Sequence, residues 1–415
     1  MKVFSTALVL LALLPARLAF TSGSTETGRG AKRVPTEMEK RSDELAESID
    51  LRLIDANTRF AFDIFQELVA EESGKNVFIS PLSILLALAM TYNGAVGDTN
   101  LAMAEALQFS GFDLEELNQG FSDLMVSVVN VDEEVEISIA NSIWYRLGFD
   151  AEEEFIERNK TYYSSEVQEL DFSDPEAVDT INHWIDGATK GKIEKIIDTI
   201  SVDMVMYLIN AIYFKGNWTY QFSENATRDE DFTLETGATK IVPMMHMEEQ
   251  FQYTRGNNLG ILRLPYGQEK LAMYILLPDE GEDLDEIIGE LDEESWNKLK
   301  SELQEKTVAL AMPKYKVEYG KPLNDVLSKF GMGIAFGSQA DFSGIDPGIW
   351  ISKVIHKAFI EVNEKGSEAA VATVVVMAKS EPPEPVVFII NRPFFFTIAD
   401  DRTGSILFMG KVAEP

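Results

Sequence analysis

Apolar positions first recur at helical spacing between residues 60 and 69, where Phe60, Ile64, Phe65, Leu68 and Val69 fall on one face. Gly74 follows as a stop signal. Ser80 then precedes Pro81, a capping residue before a first-turn proline. The run 82–90 behind them is apolar except for Ser83, which predicts a buried helix. At 135–144 the period changes to two, around Ile137, Ile139 and Ile143, as in a strand. The runs 204–214, 271–277 and 308–312 are almost wholly apolar, as in strands covered on both faces. Helical patches lie between them at 152–163, 177–189, 284–303 and 322–330. Two last apolar runs, 394–399 and 405–409, flank 400–404 and predict a hairpin. Helices and strands do not alternate regularly and no segment repeats, so a mixed α+β domain fits better than a doubly wound sheet.

The N-terminal end departs from this pattern. Lys2, the mostly apolar run 3–14 and Pro15 have the layout of a secretory signal. Residues 1–19 are therefore expected to be removed, with the cut after Ala19 or within 21–23. The run is too short to span a bilayer comfortably, and no other segment is apolar for long enough. Residues 20–49 are rich in Ser, Thr, Gly, Glu and Lys and hold no large apolar cluster. They read as a flexible polar leader to a folded domain at 50–415.

Composition narrows the chemistry. At 415 residues and 45% apolar content the chain can bury a large core without staples. It must, because it has no cysteine, which excludes disulfides, thiol catalysis, cysteine–zinc sites and iron–sulfur ligation. With 36 basic against 69 acidic residues the net charge is −33, so neither nucleic acid nor an anionic membrane is an expected partner. From 76 to 145 there is no Lys or Arg at all. The three histidines, His183, His246 and His356, have no metal spacing, and no G-x-S-x-G elbow is present. The stretch 187–192 imitates a phosphate loop but is one residue short, with Ile193 where a Ser or Thr would hold magnesium. No metal, cofactor or catalytic residue is expected. Three sequons begin at Asn159, Asn217 and Asn225, acceptors for glycans in an organism that glycosylates secreted proteins.

The segment 361–385, EVNEKGSEAAVATVVVMAKSEPPEP, has no charge, proline or glycine from 369 to 378. Taken alone, that run reads as a buried central strand; left exposed it would be an aggregation hazard. Ser367, Ala369, Val371, Thr373, Val375 and Met377 share one face, small at the start and larger later. Lys379, Ser380 and Glu381 close it with a polar, cleavable tip, so the segment is suited to be both strand and loop.

Within it, Glu364, Lys365, Gly366, Ser367, Glu368, Ala369, Ala370, Val371, Ala372 and Thr373 resemble the hinge of inhibitory serpins. Other serpin-like segments stand in the same order: 76–83 (NVFISPLS), 210–218 (NAIYFKGNW), 312–314 (MPK), 341–344 (DFSG), 352–359 (SKVIHKAF), 391–394 (NRPF) and 407–410 (LFMG). The resemblance covers about 50–415. It implies an α+β serpin fold of three sheets and eight or nine helices with an exposed reactive-centre loop. It also implies a monomeric serine-type endopeptidase inhibitor, consumed as a suicide substrate and not itself an enzyme. By the same resemblance Ser80, Ser83, Asn210 and His356 match a hydrogen-bonded cluster that lets the main sheet open, and Trp218 matches the tryptophan where the loop first inserts. Counting forward from the hinge places the reactive bond at Ser380–Glu381, which suits an elastase-like or subtilisin-like target. Counting back from Pro382 and Pro383 gives Lys379–Ser380, which suits a trypsin-like one and is slightly preferred. The rival function is a non-inhibitory serpin-like binding or chaperone protein. Such members tend to carry bulky, charged or proline substitutions in the hinge, where Val371 is the only mild departure here. Some serpins bind heparin through a basic helix; the matching region, 98–107, carries Asp98 and Glu105 and no base, so no heparin partner is expected.

Overall fold

The computed structural model of the chain describes residues 35–256, 258–366 and 384–415. Its first helix, α1 (Glu37–Ser48), falls within the stretch read as a flexible leader, and for these residues that expectation is corrected. The face α1 buries is built from Glu39, Ser42 and Ala46, polar or small residues rather than large apolar ones. Asp50 then caps α2 (Leu51–Glu71) by accepting the Arg52 N–H at 2.8 Å, and the predicted face from Phe60 to Val69 is buried. After β1 (Val77–Ile79), Ser80 Oγ accepts the Ser83 N–H at 3.2 Å to open α3 (Pro81–Tyr92), every residue of which is buried. Two helices follow, α4 (Gly97–Ala106) and the amphipathic α5 (Leu114–Val129), the second started by a capping box between Asp113 and Glu116.

The middle of the chain holds β2 (Val135–Arg146), α6 (Glu153–Tyr163), β3 (Glu166–Leu170), α7 (Ala177–Ala188) and β4 (Met206–Gly216). Next come β5 (Arg228–Thr233), β6 (Thr239–Arg255), β7 (Leu259–Tyr266) and β8 (Leu271–Pro278). The helix predicted over 284–303 is two, α8 (Leu284–Gly289) and α9 (Glu293–Ser301), because Asp292 caps a fresh start by accepting the Ser295 N–H at 2.8 Å. The remaining elements are β9 (Gln304–Pro313), β10 (Tyr315–Pro322), α10 (Asn324–Lys329), β11 (Lys353–Val362), β12 (Val386–Ile389), β13 (Phe394–Asp400) and β14 (Ile406–Val412). The last two form the predicted hairpin.

The α+β class holds, with two corrections to the counts. There are ten α-helices among the described residues rather than eight or nine, α1 and the split at Asp292 supplying the excess. Hydrogen bonding joins the strands into two ladders rather than three sheets. The reason is β6: its 17 residues pair with β5 near the start, with β9 through the middle and with β7 over the last four, so one strand fuses what would be two sheets.

The other ladder has five strands in the order β10-β11-β4-β2-β3. Its centre is β4, covered on both faces as its composition predicts. Met206, Leu208, Ile212 and Phe214 point into the main core beneath α3. Tyr207, Ile209 and Ala211 point the other way, into a separate small core with Ile181 and Ile185 of α7. On this sheet the candidate site is built.

Candidate functional site

Among the neighbours in the five-stranded ladder, β4 and β11 run parallel, paired from Lys353 opposite Tyr207 to Phe359 opposite Tyr213. Parallel pairing is slightly weaker per residue than antiparallel, and no hairpin can make it, so the two strands come from segments far apart in the chain. Past Phe359 they diverge. At the end of β11 the chain reverses: Asn363 N–H donates to Gly366 O at 2.9 Å, and Gly366 N–H donates to Asn363 O at 3.2 Å. Gly366 also forms an antiparallel bridge with Asn217, just beyond β4. The residue therefore lies between the two strand ends, paired to both and running against both.

The pairing demands glycine. Gly366 has φ +116°, and a Cβ there would lie 2.1 Å from Gly216 O. Trp218 frames the other side of the turn. Its backbone N–H donates to Lys365 O at 3.0 Å, and its Nε1 donates to Asn363 O at 3.1 Å. Its ring stacks on Tyr266 with centroids 4.3 Å apart. Glu364, 7% exposed, accepts from Thr227 Oγ1 at 2.8 Å and pairs with Lys314 Nζ at 2.8 Å. Burial pushes its carboxyl upward, but hydrogen bonds from Lys314, its own backbone and Thr227 outweigh that and hold it below the ordinary carboxylate value. Lys365 reaches toward Glu224 at 3.6 Å.

Below the turn a buried polar cluster spans the seam. His356 on β11 sits directly opposite Asn210 on β4, which in turn sits opposite Asn141 on β2. His356 Nδ1 is 2.6 Å from Asn210 Oδ1, and its Nε2 accepts the Ser80 N–H at 3.3 Å. These partners require the neutral ring with its proton on Nδ1. Complete burial drives the imidazole pKa down from 6.5 to about 3, in keeping with that form. Asn210 Nδ2 donates to Ser83 O at 3.0 Å, to Asn141 Oδ1 at 2.6 Å, and to Ser83 Oγ. Ser80, Ser83, Asn210 and His356 are thus brought together, as the resemblance implied.

Other sequence expectations fare differently. Glu364, Lys365, Gly366 and Trp218 converge on the turn. Hinge residues Ser367 to Thr373 and the candidate reactive residues Lys379, Ser380 and Glu381 lie outside the described residues. Of the sequon asparagines, Asn159 is buried and donates to Phe155 O at 3.0 Å, and Asn217 donates to Glu134 Oε2 at 2.6 Å. Asn225 is exposed. Among the described residues no three His, Asp or Glu side chains converge as a metal would need. The sequence reading missed Asn141, whose signal was a polar residue on the apolar face of Ile137, Ile139 and Ile143. It also missed Lys314, Thr227 and Tyr266, which no local pattern ties to the hinge.

Residues 55–415 match the family described as Serpin (serine protease inhibitor). The leukocyte elastase inhibitor of Bos taurus is 36% identical over 377 residues, covering 87% of this chain and 98% of that protein. Among solved structures, the thermophilic serpin tengpin in its native state superposes with a TM-score of 0.83 at 32% identity, over 88% of this chain and 95% of that one. Human thyroxine-binding globulin complexed with thyroxine gives 0.79 at 30% identity, over 90% of this chain and 99% of that one. The matched range takes in both strands of the seam, the turn above them and the buried cluster below, and the chain belongs to the serpin family.

Proposed function

We propose that this serpin inhibits a serine protease by serving as its suicide substrate. The observation that carries the reading is Gly366, which already pairs with the ends of both β4 and β11 and runs antiparallel to each. A strand continuing from it down the seam would replace one parallel ladder with two antiparallel ones. In this reading the protease serine attacks the carbonyl of Lys379 or Ser380, the peptide bond breaks, and the downstream fragment leaves with a new amino terminus. The acylated upstream segment then enters the sheet and carries the protease with it, the strand-insertion behaviour general to the family. Burial of Val371, Val375 and Met377 supplies about 1.5–3 kcal/mol each at most. Each new ladder hydrogen bond adds about 0.5–1.5 kcal/mol net.

The test is incubation with trypsin, elastase and subtilisin, read on a denaturing gel. A serpin–protease band that survives SDS is expected, with a released fragment beginning at Ser380 for a trypsin-like enzyme or at Glu381 for an elastase-like one. A fragment beginning outside 377–382 would mean the reactive bond lies elsewhere. The likeness to thyroxine-binding globulin supports a second reading, a binding protein without inhibition. Cleavage of the loop with no stable complex for any enzyme would favour it. We also propose that the chain enters the secretory route, on the strength of Lys2, the apolar run 3–14 and Pro15. Expression with the native start should then yield protein in the medium lacking residues up to 19–23; retention with an intact N-terminus would refute it.

A further inference from the structure

Helix α1 lies ahead of the residues that match the family, yet charged side chains fasten it to the body. Asp43 accepts from Lys270 Nζ at 2.7 and 2.8 Å and from Arg402 Nη1 at 3.0 Å. Arg402 also donates to Ser42 Oγ at 2.8 Å, to Ser127 O at 3.1 Å and to the buried Asp400 at 2.6 Å. Glu39 accepts from Gln268 Nε2 at 3.4 Å. Three connections are gathered under α1: the end of α5, the turn 267–270 between β7 and β8, and the turn of the β13–β14 hairpin.

The middle connection leads to the seam. Gly267 N–H donates to Asn217 O at 2.8 Å, and Thr219 Oγ1 donates back to Gly267 O at 2.8 Å. The Gln268 N–H is held by Asp132 Oδ2 at 2.6 Å. The turn has little slack: Gly267 has φ +48°, and a Cβ there would lie 2.3 Å from the same Asp132 oxygen. Asn217 and Trp218, on its far side, are the residues against which Gly366 and Lys365 dock.

We propose that α1 is a clasp on the upper end of the β4–β11 seam. By pinning the turn 267–270 through Asp43 and Glu39, it holds Asn217 and Trp218 in place and resists the parting of the two strands. Lys270 and Arg402 are both largely shielded, so removing Asp43 leaves two cations without their shared carboxylate, and the effect passes through a contiguous chain of hydrogen bonds. The consequence for inhibition rests on the insertion reading above; the clasp itself is a property of the uncleaved chain.

Amide hydrogen exchange on the intact, uncleaved protein tests it. Asp43→Ala should speed exchange of the Asn217 and Trp218 amides by about tenfold, with the β8–β13 ladder unchanged. Glu44→Ala, on the exposed side of α1, should change neither. Should Asp43→Ala fail to fold, Lys270→Gln keeps the Arg402 pairing and makes the same prediction. Faster exchange confined to α1 and 400–404, or spread evenly over the molecule, would overturn the clasp. With a responsive protease, Asp43→Ala should also form complex faster. If the unmodified chain forms no complex with any protease, the inhibition reading fails while the exchange result still decides the clasp.

Discussion

A methyl group added at Gly366 would lie 2.1 Å from Gly216 O and 2.6 Å from Trp218 N, in a backbone conformation that side chains rarely adopt. Gly366→Ala must open the turn, at a cost of about 1–3 kcal/mol. The expected result is a lower Tm for the uncleaved protein together with a larger share of cleaved, uncomplexed serpin, both measurable in one preparation. At His356 the sign follows from a pKa lowered from 6.5 to about 3. The unfolded chain takes up a proton as pH falls through 6.5 and the folded chain does not, so this contribution to stability is complete above that value and lost below it. Between pH 7.5 and 5.0 it should remove about 2 kcal/mol. Urea unfolding of the parent and of His356→Gln at both pH values isolates it, since the variant should lose less on acidification. Glu364 has the same sign lower down: its folded pKa lies below 4.5, so its contribution is present above that value and disappears as pH falls through the folded one.

At the scale of elements, the space to be filled is set by β4 and β11, and the strand proposed to fill it begins at Gly366. The alternation from Ser367 to Met377 puts Thr373 on the face that the proposed insertion would bury. Thr373→Arg would bury a charge without a partner, so the variant should be cleaved at the parental rate yet form no SDS-stable complex. Complex formation at the parental stoichiometry would rule out insertion of that face. The sequence makes some elements plain and hides others for physical reasons. Helix α3 is legible because all its residues are buried behind a Ser–Pro start, and the β13–β14 hairpin because two apolar runs flank a polar turn. Helix α1 is hidden because it docks through Ser42, Asp43 and Glu39 rather than through large apolar side chains. Strand β6 is hidden because buried and exposed positions mix along it as its partners change. The hinge motif was legible from local order, but its anchors were not: Lys314 and Thr227 stand 50 and 137 residues from Glu364.

For the whole molecule, charge decides which partners can approach. The net charge is −33, and helix α4, in the region where some serpins carry a heparin site, has Asp98 and Glu105 and no basic residue. A polyanion gains affinity chiefly by exchanging its counterions for basic side chains, so it has little to hold there. Heparin should leave the inhibition rate constant unchanged at physiological ionic strength, measured with a protease that does not itself bind heparin. A salt-sensitive, bell-shaped acceleration would mean that bases distant in sequence assemble a site. The two cores on either side of the five-stranded sheet carry a further consequence. Ile355 of β11 and Ile209 of β4 are register partners across the seam, and both belong to the small core under α7 rather than to the main one. Widening the sheet would pull apart the floor on which α7 stands, because that floor is shared by the two strands that part. Helix α7 is therefore a gauge of sheet width, and Trp184 upon it, edge-on to Trp144 of β2 at 6.1 Å, is the needle.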